Sequence, residues 1–391
     1  MRPAPRPTGP APLAATAALA ALLLLTACGG TTGGGTGGGS AAPSPGAGSC
    51  EGLSIGVFAA LTGPYANLGG NVRDAALLAV EQHNAREGAC EVGLREYDSQ
   101  GAPEQATGLA AQAVRDEEVV GLVGPAFSGE SKVAFPVMAE GDLVGLSTAT
   151  NPALTANGWT NFFRTLSNDA TQGPAAATYL RQRGAQRVFV VDDGSEYGKG
   201  LADLVRQGLG AAVADSATVQ TGQTDFSAVV TAVRASGADA VYFGGYYAEA
   251  GLLVRQLRDN GVQALFVTDD AAKDQGLLDT AGAAAEGVVL TCPCLPPEES
   301  GGTFAADHRA RFGADPGTYA AESFDAANVL LAGLDAGRTT RAQLRDFVAS
   351  YTGTGVSKEW GFTSTGEPTS TSVWTYVVRG GAITTGERVG S

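Results

Sequence analysis

From residue 52 onward, short apolar runs alternate with segments whose apolar residues return every three or four positions, and this beat limits the possible folds more than any other feature. Residues 53–60, 92–97, 119–124, 143–147, 187–192, 238–244, 264–268 and 287–291 are rich in Val, Ile, Leu and Phe and read as strands. Between them, Val72, Ala75, Ala76, Ala79, Val80 and His83 form one helical stripe, and Ala106, Leu109, Ala110, Ala113 and Val114 another. Phe226, Val229, Val230 and Val233, then Ala250, Leu253, Val254 and Leu257, continue the series. Strands separated by helices pair in parallel. There are more such units than one open sheet usually holds, and the weakly apolar stretch 167–173 divides them. The expected fold class is therefore α/β, with two doubly wound parallel-sheet lobes joined by crossover strands. The lobes are expected at 51–167 with 293–358 (N-terminal) and at 168–292 with 359–391 (C-terminal). The chain is expected to cross near Ser167, Gly287 and Trp360, with a final strand pair in 362–389.

The N-terminus reads differently. Arg2 and Arg6 lead into an apolar run over 11–25, the pattern of an export leader, and the run is short for a membrane span. Leu25-Thr26-Ala27-Cys28 resembles the bacterial lipobox, which implies a signal peptide over 1–27 and lipidation of Cys28. Residues 28–50 are almost wholly Gly, Thr, Ser, Ala and Pro and read as a tether. The expected location is extracytoplasmic, with the chain anchored to the outer face of the cell membrane. The net charge of −15 becomes −17 once Arg2 and Arg6 are removed, which argues against a nucleic-acid partner. Export permits disulfides. Cys50 and Cys90 each precede a strand, and the two strands should be neighbours, so a Cys50–Cys90 bridge is expected. Cys292 and Cys294 flank Pro293 and are left open between two thiols and a small closed ring.

In open α/β sheets ligands bind beyond the carboxyl ends of the strands. Those ends read Leu61-Thr62-Gly63-Pro64-Tyr65, Gly124-Pro125-Ala126-Phe127-Ser128, Ser147-Thr148-Ala149-Thr150, Asp192 to Tyr197, Gly244-Gly245-Tyr246-Tyr247 and Thr268-Asp269-Asp270. They offer hydroxyls, tyrosines and acids without a cationic cluster. Ser128 reads either as a helix N-cap or as an anion ligand, two compatible roles. Thr148 and Thr150 read as loop residues or as donors to a zwitterion, and Tyr197 and Tyr246 as packing or as ring cover. Tyr65 reads as a rim residue. Asp192, Asp193 and Asp269 read as structural caps.

The chain resembles the branched-chain amino-acid (leucine/isoleucine/valine)-binding proteins of ABC importers, periplasmic binding proteins of type I. The resemblance covers nearly all of 52–380. It is carried by Leu61-Thr62-Gly63-Pro64, Asn151-Pro152-Ala153-Leu154-Thr155, Phe163-Arg164-Thr165, Gln172-Gly173-Pro174, Tyr197-Gly198-Lys199-Gly200, Thr224-Asp225-Phe226-Ser227 and Tyr242-Phe243-Gly244-Gly245-Tyr246. It implies a first lobe that grips an amino acid's charged groups through Phe127-Ser128 and Thr148-Ala149-Thr150. It implies a second lobe that closes with Tyr197, Tyr246 and the acid Asp270. The chain departs from relatives in having Asp270 where Glu is usual, Thr148 where one relative has Ala, and Phe127 and Gly101 where that relative has a bonded cysteine pair. The implied partners are an amino-acid-like small molecule and the permease subunits of an ABC transporter. No cofactor and no metal are implied, and the protein is expected to be a monomer.

An enzyme is the first rival. The chain has 2 His, neither at a strand end, and no Gly-x-Ser-x-Gly, His-Glu-x-x-His or Cys-x-x-Cys, which removes the commonest hydrolase arrangements. A ligand-sensing lobe is the second. No membrane span or signalling domain is read after the lobes, so signalling would need a separate membrane partner.

Overall fold

The computed structural model describes residues 50–389. The leader, Cys28 and the tether before Cys50 lie outside the described residues. The first sheet holds β1 (Ser54–Ala59), β2 (Gly93–Asp98), β3 (Val119–Val123), β4 (Val144–Ser147) and β5 (Phe162–Arg164), in the order β2-β1-β3-β4-β5 and parallel throughout. The second holds β6 (Val188–Asp192), β7 (Val213–Thr218), β8 (Ala240–Gly244), β9 (Leu265–Thr268) and β10 (Val289–Cys292), parallel to one another. A short ribbon, β11 (Thr352–Thr354) with β12 (Glu359–Gly361), stands apart. The strand pair β13 (Trp374–Arg379) and β14 (Ala382–Arg388) completes the second sheet on the β10 edge, antiparallel.

The helices of the first β-α series are α1 (Ala66–Asn84), α2 (Pro103–Arg115) and α3 (Ser128–Glu140). Those of the second are α4 (Asp169–Gln182), α5 (Glu196–Leu209), α6 (Ser227–Ser236), α7 (Tyr247–Asp259) and α8 (Gln275–Ala281). Then α9 (Phe304–Phe312), α10 (Ala320–Asp335) and α11 (Arg341–Ala349) return to the first sheet, α10 and α11 packing on β3 and α10 also on α1. The stripe from Val72 to His83 is buried, as the helical period requires. His83 faces α10, its Nε2 2.8 Å from Asp335 Oδ1.

Three crossovers join the sheets, and two of them differ from expectation. The first, at Ser167, is tied to the last: Ser372 N donates to Ser167 Oγ at 2.9 Å, and Ser167 Oγ donates to Ser372 O at 3.1 Å. The second lies after Cys292, at the expected lobe bound between 292 and 293 but past the crossing expected near Gly287, because β10 runs to Cys292 within the second sheet. The third lies near Ser372, not Trp360. Residues 362–367 stay on the first sheet, where Arg164 N donates to Gly366 O at 2.8 Å and the Arg164 guanidinium pairs with Glu367 at 3.0 Å. Arg164 is fully buried, and a buried cation requires a partner. That need holds 362–367 against β5, so the chain reaches the second sheet only at Trp374. The short strand β5 and the amphipathically weak β7 were not read from the sequence. Cys50 is bonded to Cys90, and Cys292 to Cys294.

Candidate functional site

The C-terminal ends of β3 and β4 build one wall. Gly124 sits at φ +114, and a Cβ there would collide with the Phe58 carbonyl, so only glycine lets the chain double back across β1. Ala126 N then donates to Phe58 O at 3.0 Å, and the chain enters α3. Phe127, not Ser128, is the N-cap residue; its N–H donates to Glu130 Oε2 at 3.2 Å. Burial pushes the Glu130 carboxyl up to about 7. Ser128 is thus the first helical residue, and its Oγ accepts from Asn151 N at 3.3 Å. The first N–H groups of a helix have no partner within the helix, which favours an anion at this position.

The loop after β4 is locked to the same turn. Thr148 Oγ1 donates to Ala126 O at 2.9 Å, and Ser147 Oγ donates to Pro125 O at 2.6 Å. Thr148 therefore positions the loops with its hydroxyl. The buried Thr150 Oγ1 lies near Asp169 without a hydrogen bond of good geometry.

The opposite wall belongs to the second sheet. Ser195 caps α5 and so sets Tyr197 in its first turn, while Tyr246 is the N-cap residue of α7. Asp270 follows β9 and is fully buried. Its Oδ1 accepts from Tyr197 Oη at 2.6 Å and Gln172 Nε2 at 2.7 Å, and its Oδ2 accepts from Tyr319 Oη at 2.5 Å. Burial raises the Asp270 carboxyl, against the pull of these donors. Asp169 is pushed up to about 8 by burial and by the charge of Asp270. Asp269 is raised by burial and by Asp270, while its Oδ2 accepts from Gly245 N at 2.8 Å.

Phe127, Ser128, Thr148, Ala149, Thr150, Tyr197 and Tyr246 line a single cavity with Ala126, Ala271 and Tyr319. Asp270 lies behind it, reached through Tyr197 and Tyr319. Tyr65 stacks on Tyr246, centroids 4.2 Å apart, outside the lining. Tyr319 and Gln172 were missed as site residues. Tyr319 stands at φ +71 immediately before the apolar helix α10, a strained backbone of the kind that collects at functional sites. A tyrosine ending the turn Asp315-Pro316-Gly317-Thr318 was the available signal.

Contacts also span the two walls. Tyr65 Oη donates to Glu249 Oε1 at 3.1 Å, Asn67 Nδ2 to Asp274 Oδ1 at 2.7 Å and Lys132 Nζ to Glu196 Oε2 at 2.9 Å. The two lobes are closed on the site.

Residues 52–382 match the model of a family described as periplasmic binding protein. A Leu/Ile/Val-binding protein homologue of Brucella melitensis is 40% identical over 248 residues, 61% of this chain and 67% of that protein. The Leu/Ile/Val-binding protein BraC3 of Rhizobium johnstonii is 35% identical over 292 residues, covering 72% of this chain and 79% of its own. The crystal structure of the substrate-binding protein LivJ of Streptococcus pneumoniae superposes with a TM-score of 0.81 at 24% identity, over 87% of this chain and 99% of that one. The chain belongs to the periplasmic binding protein family, extracytoplasmic solute-binding proteins rather than enzymes.

Proposed function

We propose that this protein captures an α-amino acid, branched-chain or similar, in the cleft between its lobes and delivers it to the permease subunits of an ABC importer. In this reading it works as a monomer, held to the outer face of the membrane by a lipid on Cys28. The observation that carries the reading is the meeting, around one cavity, of two chemistries from opposite lobes. The α3 start with Ser128 and Thr150 suits a carboxylate. The second lobe brings the Tyr197 hydroxyl, which donates to the buried Asp270 behind it, and an acid there favours a cation at the tyrosine edge of the cavity. An α-amino acid carries both charges close together. BraC3 of Rhizobium johnstonii is by name a Leu/Ile/Val-binding protein, which supports the same class.

A melting-temperature screen of amino acids and of matching carboxylates without the amine tests the reading, because a ligand selective for the native state raises the melting temperature. We expect shifts with amino acids and none with the des-amino acids. Shifts only with carboxylates that lack the ammonium would overturn it.

A further inference from the structure

Where the chain passes between the lobes for the second time, a single peptide unit is held from both sides. Cys292 still belongs to the second sheet, paired with Trp374. Pro293 follows, its φ fixed by the pyrrolidine ring. Cys294 is bonded back to Cys292, and both cysteines are buried. The Cys294 carbonyl then accepts from Tyr376 Oη at 2.9 Å, and Tyr376 lies on β13 of the second sheet. The next N–H, that of Leu295, donates to Glu322 Oε1 at 2.8 Å, and Glu322 lies on α10, which packs on the first sheet. A peptide unit is planar and rigid, so the second lobe holds one edge of this plane and the first lobe the other.

The other two crossovers are tied more loosely. They are joined to each other through Ser167 and Ser372, and Lys358 Nζ donates to Thr165 O from the first lobe. Neither contains a cysteine. All three crossovers face one cavity of about 250 Å³, lined by Ser167, Pro293, Leu295, Ser370 and Ser372 among others, so bonds rather than close packing fix them there.

We propose that the Cys292–Cys294 bond makes the second crossover the fixed pivot of lobe closure. It fastens the chain to the second lobe as far as the Cys294 carbonyl, and the lobes turn about the peptide unit between Cys294 and Leu295. Without the bond, only the Tyr376 contact restrains the backbone of 293–294 once the lobes part, and closure on a ligand must order it again. Ordering even one residue on binding lowers affinity by roughly fivefold or more. The bond therefore prepares the open form for closing. This role goes beyond the capture of an amino acid and rests on that reading only for the choice of ligand.

Hydrogen exchange of the Leu295 amide, read by mass spectrometry on the full protein, tests the pivot. In Cys292→Ser with Cys294→Ser that amide should exchange at least about tenfold faster than in the natural chain, while the amides of β8 keep their rates. Cys292→Ala with Cys294→Ala serves if the serine pair fails to fold. Tyr376→Phe, which keeps the bond and loses one hydrogen bond, should speed the exchange less. Calorimetry with leucine, valine and alanine should show the bond-free variant binding roughly fivefold or more weakly than the natural chain. Unchanged exchange at Leu295 in a folded bond-free variant, or an equal gain in Tyr376→Phe, would overturn the pivot. Faster exchange with undiminished affinity would show that the bond does not serve closure. Binding of no amino acid by the natural chain would overturn the capture reading, and the exchange rates would still decide the pivot.

Discussion

Asp270 carries more of the site than its position behind the cavity suggests. Its carboxylate anchors Tyr197, Tyr319 and Gln172, so removing it deletes a charge and releases two ring walls together. Loss of one partner of a buried charged pair costs roughly 2–5 kcal/mol of binding. Asp270→Ala should therefore weaken an amino acid at least about tenfold. A larger loss for the amino acid than for its des-amino counterpart, read by calorimetry, would show that Asp270 acts on the ammonium; equal losses would confine it to holding the tyrosines. The buried acids also set a pH dependence. Asp169, at about 8, and Glu130 and Asp193, both at about 7, are raised by burial above ordinary carboxyl values. The folded chain thus binds more protons than the unfolded chain between about pH 4 and these values. Stability should fall as pH rises through that window, by at most about 1.4 kcal/mol per pH unit for each group. Acids held low, such as Asp98 and Asp335, act only below about pH 4. Urea unfolding at pH 5 and pH 8 checks this, with Asp169→Asn expected to flatten the slope.

At the level of elements, the first sheet is closed at its amino end by a covalent staple. The Cys50–Cys90 bond spans 40 positions and joins the lead-ins of β1 and β2, whose strands pair in parallel from Ser54 with Gly93. Closing a loop of that length stabilises by about 2–4 kcal/mol. Replacing both cysteines by serine should lower the unfolding free energy by that amount in urea titrations, without altering ligand affinity, since the staple lies at the end of the sheet opposite the cleft. No loss of stability would show that the bond does not form. The helix starts matter in the other direction. Ser195 and Asn168 accept from Gly198 N and Ala170 N, caps that fix the angle at which α5 and α4 present Tyr197 and Gln172.

For the molecule as a whole, closure is held by polar contacts that cross the cleft, Tyr65 with Glu249 and Asn67 with Asp274 among them. Glu249→Ala combined with Asn67→Ala should therefore populate an open form, turning about the crossovers at 165–168, 292–295 and 368–373. In small-angle scattering this variant should have a larger radius of gyration than the natural chain, and a saturating ligand should restore the smaller one. An identical radius with and without ligand in the variant would rule out closure by lobe rotation.

The sequence by itself determined the alternation of strands and helices, because burial of strand runs and helical stripes is a local periodicity. It also located the strand ends from which Phe127, Ser128, Thr148, Ala149, Thr150, Tyr197 and Tyr246 reach one cavity. Only the tertiary structure decided which groups stand beside one another. Ser128 lost the cap position to Phe127, since a cap is set by backbone angles rather than by residue type. The third crossover moved because buried Arg164 draws Glu367 to it, a pairing across more than 200 positions that no local pattern encodes. Tyr319 joined the site from the chain's return to the first sheet, and Asp270 became its hidden anchor. Such placements follow from charge and hydrogen-bond satisfaction in the folded interior, where most buried polar groups find a partner.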